Sequence, residues 1–267
     1  MPISDKSLRV LHGTAGTFHL IQAIYAEVFV NTIYKNQGQF PLTNPVGTSI
    51  NNLGNFQLTQ LVPIFPFLSS LNHAWAVFDF DRYLTYVDKG YNPVRWIEYS
   101  MSASIMTFII ANLSGISDVK TLTGLVLANV AMQYTGYVAE KDTSIALKSK
   151  DLGILSKSHV AYENAMHEEI VGFIMLVLTF SVIGTSFFTN VADEGAPAFV
   201  WSIIFILFGL YVVFGVLSVM YARSVLPNSR KLSFRQVEVG YLVLSFVSKT
   251  FLTNMVLFGS VRPMPNP

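Results

Sequence analysis

Residues 240–258, GYLVLSFVSKTFLTNMVLF, carry a single charge, Lys249, with nine uncharged residues on either side. An ammonium group at mid-membrane costs several kcal/mol, which makes intramembrane ionisable residues functional candidates by default. Desolvation favours the neutral amine, and a neutral lysine in a dry pocket is the form that condenses with an aldehyde to a Schiff base. The ordinary alternative is a lysine that snorkels to the interface. Lys249 is about 12 residues from either helix end, roughly 18 Å at the rise of an α-helix, too far for its side chain to reach water directly.

A protonated imine is a buried cation and needs a buried anion nearby. Glu98 is the one acid between residues 94 and 116, in the run PVRWIEYSMSASIMTF. Arg95 precedes it by three residues on the same helical face, and Tyr99 and Ser102 flank that surface as hydrogen-bonding groups. An Arg–Glu pair at a helix start is the competing explanation. Counted along the helices, Glu98 lies nearer one boundary of the membrane than Lys249 by roughly 10–12 Å.

The elements that must position these groups follow from composition. Of 267 residues, 52% are hydrophobic and only 12% charged, against roughly 25% charged in a soluble domain. Apolar stretches fall at 13–34, 58–80, 94–116, 122–139, 170–190, 197–221 and 237–260, each close to the roughly 20 residues a helix needs to cross the hydrocarbon core. Backbone groups in lipid must be satisfied within the segment, so helices are expected. The expected fold is all-α, one seven-transmembrane-helix domain over residues 1–267. The N-terminus lacks an apolar core with a cleavage site, so no removable signal peptide is expected. There are no cysteines, and a net charge of +1 implies no nucleic-acid partner.

Counting Lys and Arg in the connections gives an orientation. The N-terminus and loops 2–3, 4–5 and 6–7, with the adjoining membrane ends, hold thirteen basic residues; the opposite set holds three, Lys35, Lys120 and Arg262. The count predicts a cytoplasmic N-terminus and an extracellular C-terminus. The polar, Gly/Asn/Pro-rich loop 1–2 is expected outside, as a short hairpin cap. Residues 141–167 are expected to form the longest cytoplasmic connection.

A lysine in the last span facing a carboxylate in the third resembles a microbial-type rhodopsin. FHLIQ, RWIEYSMSASIM, PAFVWSIIFILF and VLSFVSK resemble heliorhodopsins more particularly, as does the inverted orientation, and the resemblance covers essentially the whole chain. It implies all-trans retinal on Lys249 as a Schiff base with Glu98 as counterion. Ser245 stands one turn before Lys249, where ion-pumping rhodopsins usually have a second carboxylate; its hydroxyl can bond the Schiff base but holds no charge. His19 and His73 match the family's intramembrane histidines. Asn129, Met132, Phe199 and Trp201 match positions that line its retinal pocket. The resemblance further implies a photosensor with a slow photocycle, not an enzyme, with a proton moving on illumination into the His19, His73 and water network. It also implies a homodimer, to which Gly124 and Ala128 contribute small-xxx-small spacing, in the lipid bilayer of the cell (plasma) membrane. A signalling partner is expected at the 4–5 loop.

Several acids depart from the family pattern. Glu27 lies inside span one without a basic neighbour in sequence, Glu168 and Glu169 follow His167 at the start of span five, and Asp193 and Glu194 precede span six. Glu27 is an inert protonated carboxyl or a stage of a proton path, which keeps open a light-gated proton channel or transporter. A third reading makes Lys249 and Glu98 a structural ion pair in a transporter-like protein without a chromophore.

Overall fold

The computed structural model describes residues 3–33, 39–46, 49–192 and 195–259. Asp193 and Glu194, and the basic residues Lys35 and Arg262, lie outside the described residues.

Helix α1 (Asp5–Ile33) leads into a two-stranded antiparallel hairpin, β1 (Gln39–Val46) and β2 (Ser49–Gln57). This is the hairpin cap expected from the polar loop. Its two strands pair from Gln39↔Gln57 to Val46↔Ser49, with an irregularity between Leu42 and Thr43. Phe40 and Phe56 pack on the bundle core, and Thr43 N donates to Ser117 O at 2.9 Å. Lys120 Nζ donates to Pro45 O at 2.7 Å, so the hairpin is tied to one end of the bundle.

A 3₁₀ turn, Leu58–Leu61, precedes α2 (Ile64–Phe78). The chain breaks at Asp79, with φ −107° and ψ 52°, before α3 (Phe80–Lys89). Helix α4 (Pro93–Leu113) starts with Asn92 Oδ1 accepting from Arg95 N at 3.3 Å and with Pro93 in the first turn, where its missing N–H leaves no bond unmade. Helices α5 (Val119–Asp151) and α6 (Leu155–Phe187) are 33 residues each. Only residues 152–154 separate them, so the long loop expected at 141–167 is instead the paired ends of two helices. One π turn, Phe188–Ala192, extends α6. Helices α7 (Ala198–Arg223) and α8 (Phe234–Gly259) complete the bundle.

Asp118 starts α5. Its carboxylate accepts from Lys120 N at 3.1 Å and Thr121 N at 2.9 Å, supplying partners to N–H groups that a helix start leaves without any. The Thr121 hydroxyl, the largest cause, and these backbone donors hold the Asp118 carboxyl below its usual range. A carboxyl depressed in the folded state stabilises fully above its unfolded titration range, and that contribution is lost as pH falls through the folded value. Asp118→Ala is expected to cost about 1 kcal/mol, read as a lower thermal midpoint near neutral pH. The difference from wild type should shrink on acidification.

Two structural expectations require correction. The seven apolar stretches are helical over most of their length, but among the described residues four helices are long and apolar enough to cross a membrane by length and composition. These are Leu58–Phe78, Leu155–Ala192, Ala198–Arg223 and Phe234–Gly259. Helices α1, α4 and α5 fall short because they bury polar groups within the bundle, among them His12, His19, Gln22, Arg95, Glu98, Asn129, Gln133 and Glu140. The molecule is a helical, multi-pass membrane bundle with four such helices, not seven. The cytoplasmic N-terminus and extracellular C-terminus fall with the count, because that assignment alternated connections across seven spans. Arg95, one of the thirteen basic residues, is also no loop charge: it is buried and paired with Glu140 and Glu238.

Two apolar cores sit at opposite ends. One gathers Ile109, Ile183, Phe187, Ile203 and Val256 near the hairpin; the other gathers Leu8, Tyr83, Trp96, Phe234 and Tyr241. Between them, on α8 from Tyr241 to Leu252, lies Lys249, and Arg95 sits against Trp96, Phe234 and Tyr241 of the second core.

Candidate functional site

Lys249 projects from the middle of α8 and is 2% exposed; Glu98, on α4, is 6% exposed. The offset counted along the two helices is closed, with Lys249 Nζ 3.1 Å from Glu98 Oε1. Lys249 Nζ also donates to Ser245 Oγ at 2.7 Å. Ser69, on α2, donates to the same Glu98 oxygen at 2.7 Å. The ammonium lies 5.0 Å from the centre of the Tyr99 ring, whose hydroxyl donates to Tyr241 O at 3.1 Å. A buried cation thus has a carboxylate, a hydroxyl and an aromatic face, the partners a charge needs when water is removed.

From Lys249 a cavity runs between α4, α5, α6, α7 and α8. Its walls include Trp96, Met106, Met132, Phe173, Tyr211 and Phe214, a flat aromatic and thioether lining. Ser102 lines it too, fully buried, its hydroxyl without a hydrogen-bond partner among the described residues. At the α6 side, Glu168 and Glu169 reach the wall, and the buried Glu169 accepts from the Ser218 hydroxyl.

A second group of polar side chains lies on the α1–α2 side. Gly16 permits it, since a Cβ there would stand 2.9 Å from His73 Cβ. The rings of His19 and His73 are stacked, 5.7 Å apart and 3° from parallel. His73 Nδ1 is 2.9 Å from His12 Nδ1, and His12 Nε2 is 2.9 Å from the Tyr83 hydroxyl. Tyr83 donates to Glu238 Oε2 at 3.1 Å, as does Asn92 Nδ2 at 3.1 Å. Arg95 is shared between Glu140 and Glu238, and Asn92 N donates to Glu140 Oε1 at 2.7 Å. Arg95 is therefore not the salt-bridge partner of Glu98.

Of the sequence candidates, Lys249, Glu98, Ser245 and Tyr99 come together at one point, and Ser102 and Met132 line the adjoining cavity. Asn129, Phe199 and Trp201 are not among its lining residues. Asn129 bonds Ser104 at 3.0 Å, while Trp201 packs on Phe187, Phe188 and Phe205. Phe199 lies against Gly259, where an added Cβ would collide with its ring. Glu27 is exposed on α1 and accepts from Asn31 Nδ2 at 2.8 Å. Sequence reasoning missed Ser69, His12, Tyr83, Asn92, Glu140 and Glu238.

The bundle resembles solved rhodopsins at low sequence identity, which establishes a shared fold. The rhodopsin of Exiguobacterium sibiricum aligns with a TM-score of 0.59 and 12% identity over 96% of each chain. Cyanorhodopsin from the cyanobacterium Tolypothrix sp. NIES-4075 aligns at 0.53 and 11% identity, over 94% of this chain and 93% of its own. A thermophilic rhodopsin aligns at 0.51 and 14% identity over 95% of each chain. No curated protein sequence matches significantly. The family model described as Heliorhodopsin matches residues 8–261. With that match spanning nearly the whole bundle, the chain belongs to the heliorhodopsin family, whose members are photoreceptors and not enzymes.

Proposed function

We propose that this chain is a light sensor in which Lys249 carries all-trans retinal as a protonated Schiff base and Glu98 is its counterion. The observation that carries the reading is the 3.1 Å contact of Lys249 Nζ with Glu98 at the head of the aromatic cavity. The residues present fit the chromophore: a primary amine at one end, and a long wall of Trp96, Phe173, Tyr211 and Phe214 suited to a flat polyene. Bound there, retinal would supply visible absorption and a light-driven isomerisation from all-trans to 13-cis.

The chain's own groups hold the proton. Glu98 balances the charge at Lys249 Nζ, Ser69 orients the carboxylate, and Ser245 accepts from the nitrogen. Ser245 cannot store a proton as a second carboxylate would, so a proton leaving Nζ goes to the histidine side, toward His73 and His19. Slow recovery gives a conformational signal time to form. A homodimer, a signalling partner at the α5–α6 ends and a cell-membrane location belong to the same proposal; Gly124, exposed with open space around its Cα, is available to a second copy. A proton conductance staged by Glu27 gains no support from that residue's outward position.

All-trans retinal added to purified apoprotein is expected to produce a visible band, and borohydride trapping with peptide mass analysis to place the adduct on Lys249. An absent band, or an adduct elsewhere, overturns the proposal. The cavity wall gives a graded test. A Cβ at Gly136 would collide with the Trp96 ring, whereas one at Gly124 meets nothing within 4 Å. Gly136→Ala should cost about 1–3 kcal/mol by overpacking, slow the appearance of the band and shift its maximum. Gly124→Ala should leave both unchanged.

A further inference from the structure

A small cavity, with room for about one water molecule, touches Glu98 and Ser245 beside Lys249 Nζ, then His12 and His73, then Arg95 and Glu238. It joins the two polar partners of Lys249 Nζ, Glu98 and Ser245, to the histidine pair. From there the hydrogen bonds have a fixed sense. Tyr83 has one hydroxyl proton and gives it to Glu238 Oε2. Its oxygen therefore accepts from His12 Nε2–H, 2.9 Å away. A neutral imidazole protonated at Nε2 is bare at Nδ1, so His12 Nδ1 must accept from His73 Nδ1–H. That in turn leaves His73 Nε2 as the basic atom of the chain.

The far end is arranged to receive a proton. Each oxygen of Glu140 and Glu238 meets a donor or the guanidinium: Asn92 N and Arg95 on Glu140, Arg95, Tyr83 and Asn92 Nδ2 on Glu238. Donors at both oxygens of a carboxyl favour its ionised form. Two carboxylates with one guanidinium carry a net charge of −1 in a site where Arg95, Glu140 and Glu238 are all buried, and one added proton removes it.

We propose that His73, His12 and Tyr83 form a directional relay that moves the proton leaving Lys249 Nζ to Glu238, where the Arg95–Glu140–Glu238 cluster stores it. The proposal rests on Lys249 being the proton donor, as in the function proposed above. The step balances as one N–H bond broken at Nζ and one O–H bond formed at Glu238. Between them His73 gains a proton at Nε2 and passes one from Nδ1, His12 gains at Nδ1 and passes one from Nε2, and Tyr83 exchanges its hydroxyl proton. Afterwards both imidazoles hold the opposite tautomer, so a second proton cannot follow until the first returns. The relay stores one proton and does not conduct a stream.

Nitrogen-15 NMR of the histidine rings in the full chain without retinal tests the dark arrangement. His12 should be protonated at Nε2 and His73 at Nδ1, and Tyr83→Phe should release the His12 tautomer. A His12 ring protonated at Nδ1, or one indifferent to Tyr83→Phe, overturns the relay whether or not a pigment forms. In the retinal-loaded protein, the light-minus-dark infrared spectrum should show a new carboxylic-acid carbonyl band that disappears in Glu238→Gln. Its rise should slow about a hundredfold in Tyr83→Phe, the lower range for a positioned proton donor. Glu238→Gln can unfold by stranding Arg95, and Tyr83→Phe then decides alone. A carbonyl band that persists in Glu238→Gln, or rises at the wild-type rate in Tyr83→Phe, overturns storage at Glu238 while leaving the Lys249 assignment intact.

Discussion

Lys249→Ala is expected to abolish the visible band completely, because no other amine lies at the head of the aromatic cavity among the described residues. The substitution has a second consequence that separates two readings. Removing one partner of a buried ion pair strands the other and costs about 3–5 kcal/mol, and Glu98 would be stranded at 6% exposure. Lost stability alone would thus fit a purely structural Lys249–Glu98 pair as well as a chromophore site. The double variant Lys249→Ala with Glu98→Gln resolves this, since neighbours that share an interaction are not additive. It should regain most of the stability and none of the colour. A wild-type protein that takes up retinal with no new band, yet shows the same stability cycle, would make the pair structural and end the photoreceptor assignment.

The lysine was legible because one charge in an apolar run is costly wherever the chain folds, and Glu98 because it is the single acid of its stretch. Their approach to 3.1 Å was not, since it depends on how far α4 and α8 slide along each other. Other members of the polar network did leave a periodic signal. His12 precedes His19 by two turns, Glu238 precedes Ser245 by two turns, and Asn129, Gln133, Gly136 and Glu140 follow one face of α5. Tyr83 left none: it reaches Glu238 only because the chain breaks at Asp79 and α3 takes a new course. The same polar faces explain the overcounted membrane spans. Apolar length was read without asking which side each residue takes, and α1, α4 and α5 turn their polar side inward. Phe199 and Trp201 were assigned to the cavity by resemblance alone, whereas aromatic residues at helical spacing also serve packing, as Trp201 does against Phe187 and Phe205.

Glu98→Gln should change colour without removing the chromophore. Glutamine keeps the length of glutamate and can still accept from Ser69, so shape and hydrogen bonding survive and only the charge goes. Losing about 3–5 kcal/mol of pairing changes the protonation equilibrium at Lys249 Nζ by a factor of about a hundred to a few thousand, at 1.36 kcal/mol per tenfold. Where the nitrogen keeps its proton, the band moves to longer wavelength because the ground-state charge has lost its partner; where it does not, a near-ultraviolet band replaces the visible one. Ser69→Ala removes one bond to a charged group, worth about 1.5–3 kcal/mol, and should move the band the same way by less. Glu98→Asp keeps the charge at a shorter reach and should stay visible and close to wild type. The order Gln, then Ala at residue 69, then Asp is what a charge partner predicts; a merely steric role predicts that Asp, which shortens the side chain, perturbs more than Gln. A Glu98→Gln protein with unchanged absorption and unchanged pH dependence would assign the counterion to another carboxylate, and Glu238 beside the shared water-sized cavity would be the next to replace.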